Sequence, residues 1–269
     1  MLRVGSFSAG SAVRLGTLAL LCCMGSAAPR ADAGELRVFT SGAPADAQKA
    51  IALAITTAVT TPGVAFTVAM PAVLLAKLAA GEPADVAVMP EQALAVLERQ
   101  GKIMPGSQVP VARVGVGVVV RQGAALPDIA TVASLRASLL AAPSLVYPDP
   151  ASEGSVAGKA IARMLQQMGI ADAVRPKTTL RHAITGGVEM VARGEAALGL
   201  FNISEILPVK GITLAGPLPA QVQSYITFAA VVLAGSPSVE QAQAYIRQIT
   251  DKASAGHWAA AGLEPVGAR

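Results

Sequence analysis

Cysteine is almost missing from this 269-residue chain: the two present, Cys22 and Cys23, sit side by side near the amino end. Past residue 23 the sequence cannot form a disulfide, a thiol nucleophile or a cysteine-ligated zinc or iron–sulfur centre. Aromatic residues are scarce, at 3%, which argues against an oligosaccharide ligand, because sugar-binding walls are built from ring faces. Charge is thin at 14%, and although the net charge is +4, the 21 Lys and Arg residues are scattered with no basic run. A nucleic-acid partner is not expected, since a phosphate-tracking surface needs clustered cations. Outside the first 33 residues no apolar run reaches the 18 residues of a membrane-spanning helix; the longest, Val114 to Val120 and Ile226 to Leu233, have strand length. There is no H-E-x-x-H, calcium-type D-x-D run, G-x-S-x-G, Walker loop or G-x-G-x-x-G between strand and helix, so no metal and no cofactor is expected. What is abundant is hydrophobic: 53% of residues, for a mean hydropathy of +0.54. That excludes disorder and predicts one large domain or two modest ones held by their cores.

Residues 1–33 read as a secretory signal peptide. Arg3 and Arg14 precede the apolar stretch Leu15 to Met24, and Ala31-Asp32-Ala33 is an A-x-A cleavage pattern before Gly34. The stretch is shorter than the about 20 residues of a membrane anchor. Ala19-Leu20-Leu21 also lacks the small residue expected ahead of a lipid-modified Cys22. Cleavage after Ala33 removes both cysteines with Arg3, Arg14, Arg30 and Asp32, leaving a net charge of +2. The expected product is an exported protein that does not span the membrane.

Beyond the leader, short apolar runs alternate with helical periodicity. Leu36 to Thr40, Val64 to Val68 and Asp85 to Met89 read as strands, separated by helical spacing over Ala47 to Ala58 and Ala72 to Ala80 and followed by a helix at Glu91 to Gln100. After a loop at Met104 to Pro110 the plan restarts, with strands at Val114 to Val120, Ser144 to Tyr147 and Ala196 to Phe201. Helices are expected there at Thr131 to Ala141, Ser155 to Met168 and Val188 to Arg193, and at the end over Val239 to Lys252 and Ala253 to Ala261. The long run Val222 to Leu233 reads as a strand able to return from the second unit to the first. Such alternation favours α/β sheets covered by helices, here in two lobes with a cleft and a hinge between them. Gly115 and Gly117 lie inside a strand, where they predict a close backbone approach and not a nucleotide loop.

Three loops leading into helices hold small or hydroxyl residues: Ser41-Gly42-Ala43, Ser152-Glu153-Gly154-Ser155-Val156-Ala157 and Thr185-Gly186-Gly187. Helix N-termini offer unpaired N–H groups to an anion, but the same residues also cap helices and make turns in any protein. Arg181 and His182 likewise have two readings: a guanidinium and imidazole suited to a carboxylate, or a solvated surface arginine and a satisfied loop histidine. His257 and Trp258 are read as packing, and Glu82 and Asp85 as serving a turn.

The segments Ala80-Gly81-Glu82-Pro83-Ala84-Asp85-Val86, Tyr147-Pro148-Asp149-Pro150 with Ala157-Gly158 and Met168-Gly169, and Gly194-Glu195-Ala196-Ala197-Leu198-Gly199 occur in order along the chain. Through them the sequence resembles the molybdate-binding type of periplasmic solute-binding protein, the receptor of ABC importers. The resemblance implies a two-lobed α/β fold of the type II periplasmic-binding-protein class, each lobe a central sheet flanked by helices, joined by a two-strand hinge. It places lobe one at 34–111 plus 226–269 and lobe two at 112–225, and makes the protein a monomeric, non-enzymatic flytrap that docks on permease subunits. The family's binding positions fall near Ala43, Pro71, Ala157, Ile184 and Asn202. Relatives that hold tetrahedral oxyanions use hydroxyls at the first two and often tyrosine at the last, so three side-chain donors are replaced here, with Ser41 able to stand in for one. The expected ligand is a small anion, a molybdate-like oxyanion or a small organic carboxylate. Its expected contacts are Ser41, Gly42, Ala43, Pro71, Ser152, Ser155, Ala157, Arg181, His182, Ile184 and Asn202. Two alternatives stand beside this reading: an exported enzyme pairing His182 with Glu153 or Glu189, and a ligand sensor read by a signalling partner.

Overall fold

The computed structural model describes residues 35–58, 63–152, 155–182 and 186–266; the expected leader, Glu153 and Ile184 lie outside them. The first half of the chain begins β1 (Leu36–Thr40), α1 (Gly42–Ala58), β2 (Val64–Val68), α2 (Pro71–Ala79), β3 (Val86–Pro90), α3 (Glu91–Arg99) and β4 (Val109–Arg121). It continues through α4 (Val132–Ala141), β5 (Leu145–Pro148), α5 (Val156–Gln167), α6 (Ala171–Val174), β6 (Thr178–Arg181), α7 (Gly187–Arg193), β7 (Leu198–Asn202) and α8 (Ile203–Ile206). The last elements are β8 (Ile212–Pro217), β9 (Tyr225–Val232), α9 (Val239–Thr250), α10 (Ala255–Ala260) and β10 (Glu264–Pro265).

The strands order as β2-β1-β3-β9-β4-β7-β5-β6, with β8 and β10 also paired to β4. β1, β2 and β3 are mutually parallel, as are β5, β6 and β7, while β9 and β4 run antiparallel to their neighbours. Among the described strands β4 alone belongs to both sub-sheets: Val109 to Gly115 pairs with β9, and Val116 to Arg121 with β7 and β8. The result is two helix-flanked sheets joined at one long strand, the two-lobed α/β architecture read from the sequence.

Alternation along each strand sends neighbours to opposite faces. In the first sub-sheet Val38, Val86, Val88 and Phe228 pack under α1 and α9, while Phe39, Ala87, Met89 and Val231 pack under α2 and α3. In the second, Val118, Leu145 and Leu200 face α4 and α5, and Val119, Val146 and Phe201 face α7. Strands covered on both sides read as continuous apolar runs, which is why they were legible as such.

The return crossing differs from expectation: β9 begins at Tyr225, not Val222. At the junction β8 ends opposite Gly117 and β9 begins opposite Gly115, so Val116 has no strand on that side. The Gln223 amide fills the gap. Val116 N donates to its Oε1 at 2.9 Å, and its Nε2 donates to Val116 O at 2.9 Å. A Cβ on Gly115 would lie 2.9 Å from Gln223 Nε2, so the glycine makes room for this side-chain stitch.

Far from the junction, the Gly81-to-Val86 segment is a fastening. α2 ends with Gly81 at φ 83°, where Glu82 N donates to Lys77 O at 3.0 Å and Gly81 N to Leu78 O at 3.3 Å, the pattern that left-handed glycine permits. Asp85 is more than a turn residue. Its buried carboxylate accepts from Arg37 N (2.9 Å), Nε (3.0 Å) and Nη2 (3.0 Å) and from Ser236 Oγ (2.8 Å). It thereby ties β1, β3 and the loop after β9.

Candidate functional site

In open parallel sheets, ligands sit outside the carboxyl ends of the strands, where the following helices begin. A cavity of about 620 Å³ lies at that place, within the about 300–1,000 Å³ usual for small-molecule sites. Ser41 follows β1, Pro90 ends β3, Pro148 ends β5, Arg181 ends β6 and Asn202 ends β7, and all five line it. The first turns of α1 (Gly42, Ala43), α2 (Pro71) and α5 (Val156, Ala157) line it too. Of the expected contacts, Ser41, Gly42, Ala43, Pro71, Ser152, Ser155, Ala157, Arg181, His182 and Asn202 are thus brought to one cavity.

The first wall rests on a buried relay under α1. Thr40, which ends β1, accepts from Gln48 Nε2 at 2.7 Å, and Tyr245 O–H donates to Gln48 Oε1 at 2.8 Å. Burial raises the Tyr245 phenol well above its usual range, keeping it a neutral donor. Ser41 is buried, and its hydroxyl turns toward Val88 O at 3.5 Å.

The second wall carries the charge. Asp149 is buried; its Oδ1 accepts from Ala151 N at 2.9 Å and its Oδ2 lies 2.7 Å from His182 Nδ1. With Nδ1 donating to Asp149, the imidazole is oriented and its Nε2 is left for the cleft, an acceptor when neutral and a donor when protonated. The His182 side chain is 81% exposed, so it stands out from the wall into water. His182 therefore pairs with Asp149, whereas Glu189 on α7 is outside the cavity lining among the described residues. The glycine loop ahead of α7 meets the site indirectly: Gly186, at φ 90°, would place a Cβ 2.9 Å from Arg181 Nη2. Ser155 and Ser204 line the cavity with hydroxyls that are buried and have no hydrogen-bond partner among the described residues.

Residues the sequence did not single out complete the wall. Glu205, on the four-residue α8, accepts from Asn202 Nδ2 at 2.6 Å. Burial pushes its carboxyl up to about 7, against the opposing effect of the Asn202 bond. Asp46, Phe228 and His257 also line the cavity. His257 is thus not only packing, whereas its neighbour Trp258 is core, its Nε1 donating to Ile249 O at 2.8 Å. Among the described residues no cluster of three or more His, Cys, Asp or Glu could hold a metal ion, and no helix is long and apolar enough to cross a membrane.

α5 reaches the cavity only because residue 158 is glycine. A Cβ there would lie 2.3 Å from Pro148 O and 2.4 Å from Ser155 Oγ. Gly158→Ala is expected to push the helix start away from β5 and to lower stability by about 1–3 kcal/mol, as overpacking does. Urea unfolding followed by circular dichroism checks this, and an unchanged midpoint would show that the contact relaxes freely.

Residues 36–264 match the profile of the bacterial extracellular solute-binding proteins. A curated relative, the aconitate isomerase of a Pseudomonas species, is 33% identical over 194 residues, 72% of each chain. Among solved structures, the fold resembles the substrate-binding domain of a molybdenum ABC transporter from Clostridium difficile. The TM-score is 0.76 at 14% identity, covering 86% of this chain and 99% of that one. The periplasmic molybdate-binding protein of Azotobacter vinelandii is similar with a TM-score of 0.64 at 18% identity, covering 85% and 98%. A two-lobed α/β fold, a cavity at the strand ends and a profile match over nearly all of the described chain together make this protein a member of the bacterial extracellular solute-binding protein family.

Proposed function

We propose that this protein captures a small organic polycarboxylate between its lobes and presents it to the permease of an ABC importer. In this reading residues 1–33 direct export to the periplasm and are removed, 34–111 with 226–269 form one lobe, 112–225 the other, and the receptor acts as a monomer. The observation that carries it is the pair of unpartnered buried hydroxyls, Ser155 and Ser204, in a cavity that also holds Arg181 and His182. Buried polar groups are nearly always satisfied, so these two await a partner from the ligand. Arg181 suits a carboxylate fork. Ala43, Pro71 and Asn202 stand where the resemblance puts the oxyanion-binding side chains, which favours a carboxylate over molybdate. The 33% relative supports the same class, since aconitate is a tricarboxylate. Closure follows from ligand contacts made to both lobes in the closed form alone.

Thermal unfolding with trans-aconitate, citrate, succinate and molybdate tests the reading. A rise of several degrees with a polycarboxylate and none with molybdate is expected; a rise with molybdate alone, or with none of the four, overturns it.

A second reading is favoured by one observation, a carboxyl that titrates near neutrality sharing the cavity with an Asp149-oriented imidazole. Such groups can take a proton from the carbon between a carboxylate and an alkene and return a proton at the far end of the allyl system, moving the double bond with no atom lost. The isomerase name of the 33% relative supports this chemistry. Proton NMR of trans-aconitate with catalytic protein in D₂O tests it: isomer formation abolished by Glu205→Gln supports turnover, whereas binding without isomer or deuterium incorporation leaves a receptor alone.

A further inference from the structure

We propose that Glu205 couples ligand capture to the uptake of one proton: its carboxyl is protonated in the bound state and donates its O–H to an oxygen of the bound anion. This rests on the polycarboxylate reading above and adds to it a residue that reads the ligand's acceptor oxygens.

The argument starts from placement. Glu205 stands in the same cavity wall as Ser204 and Asn202, in a lining that also holds Arg181 and His182. Asn202 engages Oε1 at 2.6 Å, and Oε2 has no hydrogen-bond partner among the described residues. A carboxylate ligand entering that space meets a second carboxylate, and two such groups in one site raise each other's proton affinity until one is neutral.

The surrounding charges do not remove the conflict. α8 packs on β4, β7 and β8. β7 and β8 carry no titratable side chain; β4 carries Arg113, paired with Glu264 at 2.7 Å, and Arg121, at the far end of the strand opposite Ile212. The cavity also holds Arg181, His182 with Asp149 behind it, His257, and Asp46, whose carboxylate lies 3.6 Å from Lys49 Nζ. Burial already holds Glu205 near 7 without ligand, and a bound anion raises it further. The sign follows: between the free and bound values the complex holds more protons than the free protein, so affinity falls as pH rises, by at most about tenfold per pH unit. Below the free value Glu205 is protonated in both states and adds no slope.

Calorimetric titration of trans-aconitate from pH 6.5 to 8.5, in two buffers of different ionisation enthalpy, tests the inference. The wild type is expected to take up close to one proton at pH 8 and to lose affinity about tenfold per unit above pH 7. Glu205→Gln, whose amide keeps a donor, is expected to bind with neither slope nor uptake and to exceed the wild type at pH 8. His182→Gln and His257→Gln, which remove the two imidazoles of the cavity lining, are expected to keep the slope at whatever affinity remains. Binding by the wild type without proton uptake, or uptake that survives Glu205→Gln, overturns this inference and leaves the ligand class standing. Absence of binding at every pH overturns the ligand class and the inference with it.

Discussion

Arg181→Ala is expected to weaken trans-aconitate binding by about 100-fold, equivalent to about 3 kcal/mol, the middle of the range for truncating one member of a hydrogen-bonded charge pair. The guanidinium ends β6 in the cavity wall. Its backbone is fixed independently of its side chain, because Asp149 N donates to Arg181 O at 2.8 Å and Pro148 pairs with Arg181 in the sheet. Alanine keeps both, so the substitution removes the guanidinium while the strand pairing stays in place. Arg181→Lys is expected to recover part of the affinity only, since an ammonium carries the charge without the planar fork. Calorimetry of the three proteins at one pH decides the matter; an alanine variant that binds as tightly as the wild type would remove Arg181 from the contact set.

The largest expected loss of stability comes from Asp85→Ala, at about 3–5 kcal/mol. Burial alone would raise this carboxyl, but the donors from Arg37 and Ser236 outweigh it and hold it below the usual carboxylate range. Without it, the Arg37 side chain and the Ser236 hydroxyl lose their shared acceptor between β1, β3 and the loop beyond β9. For a domain of this size the loss lowers the melting temperature by about 6–20 °C. The pH sign is fixed by the lowered value: the stabilisation is present above the unfolded-state carboxyl range and is lost as pH falls through the folded value. The wild type is therefore expected to lose part of its advantage over Asp85→Ala in acid. A constant difference from pH 7 down to 3 would show that packing, not charge, fastens the strands.

Most of the frame was legible because its strands are buried on both faces and its helices are amphipathic. β1, β2, β3, β5 and β7 each appear as a short Val- or Leu-rich run. β6 and β8 escaped notice for the converse reason: Thr178–Arg181 is an edge strand paired to β5 alone, and Ile212–Pro217 is half-buried, so neither has an unbroken apolar run. Of the site, Ser41 to Ala43 and Ser152 to Ala157 were readable as loops between strand and helix, and Asn202 through the family resemblance. Glu205 was not. It sits on a single turn of helix directly after β7, too short for periodicity, and its raised proton affinity comes from burial, which arises only once α8 packs on β4, β7 and β8. The Asp149–His182 pair was hidden in the same way, since only the parallel pairing of β5 and β6 brings residues 149 and 182 together.

That β3 pairs with β9 also determines when the sheet can be finished. Val86–Pro90 has β1 on one side and Tyr225–Val232 on the other, so during synthesis its outer edge waits until most of the chain has left the ribosome. β4 waits likewise for β9 and β10. Pairings between segments so far apart along the chain form slowly. The chain is thereby kept from locking its first sheet before its last strands exist, an order that suits the export proposed above.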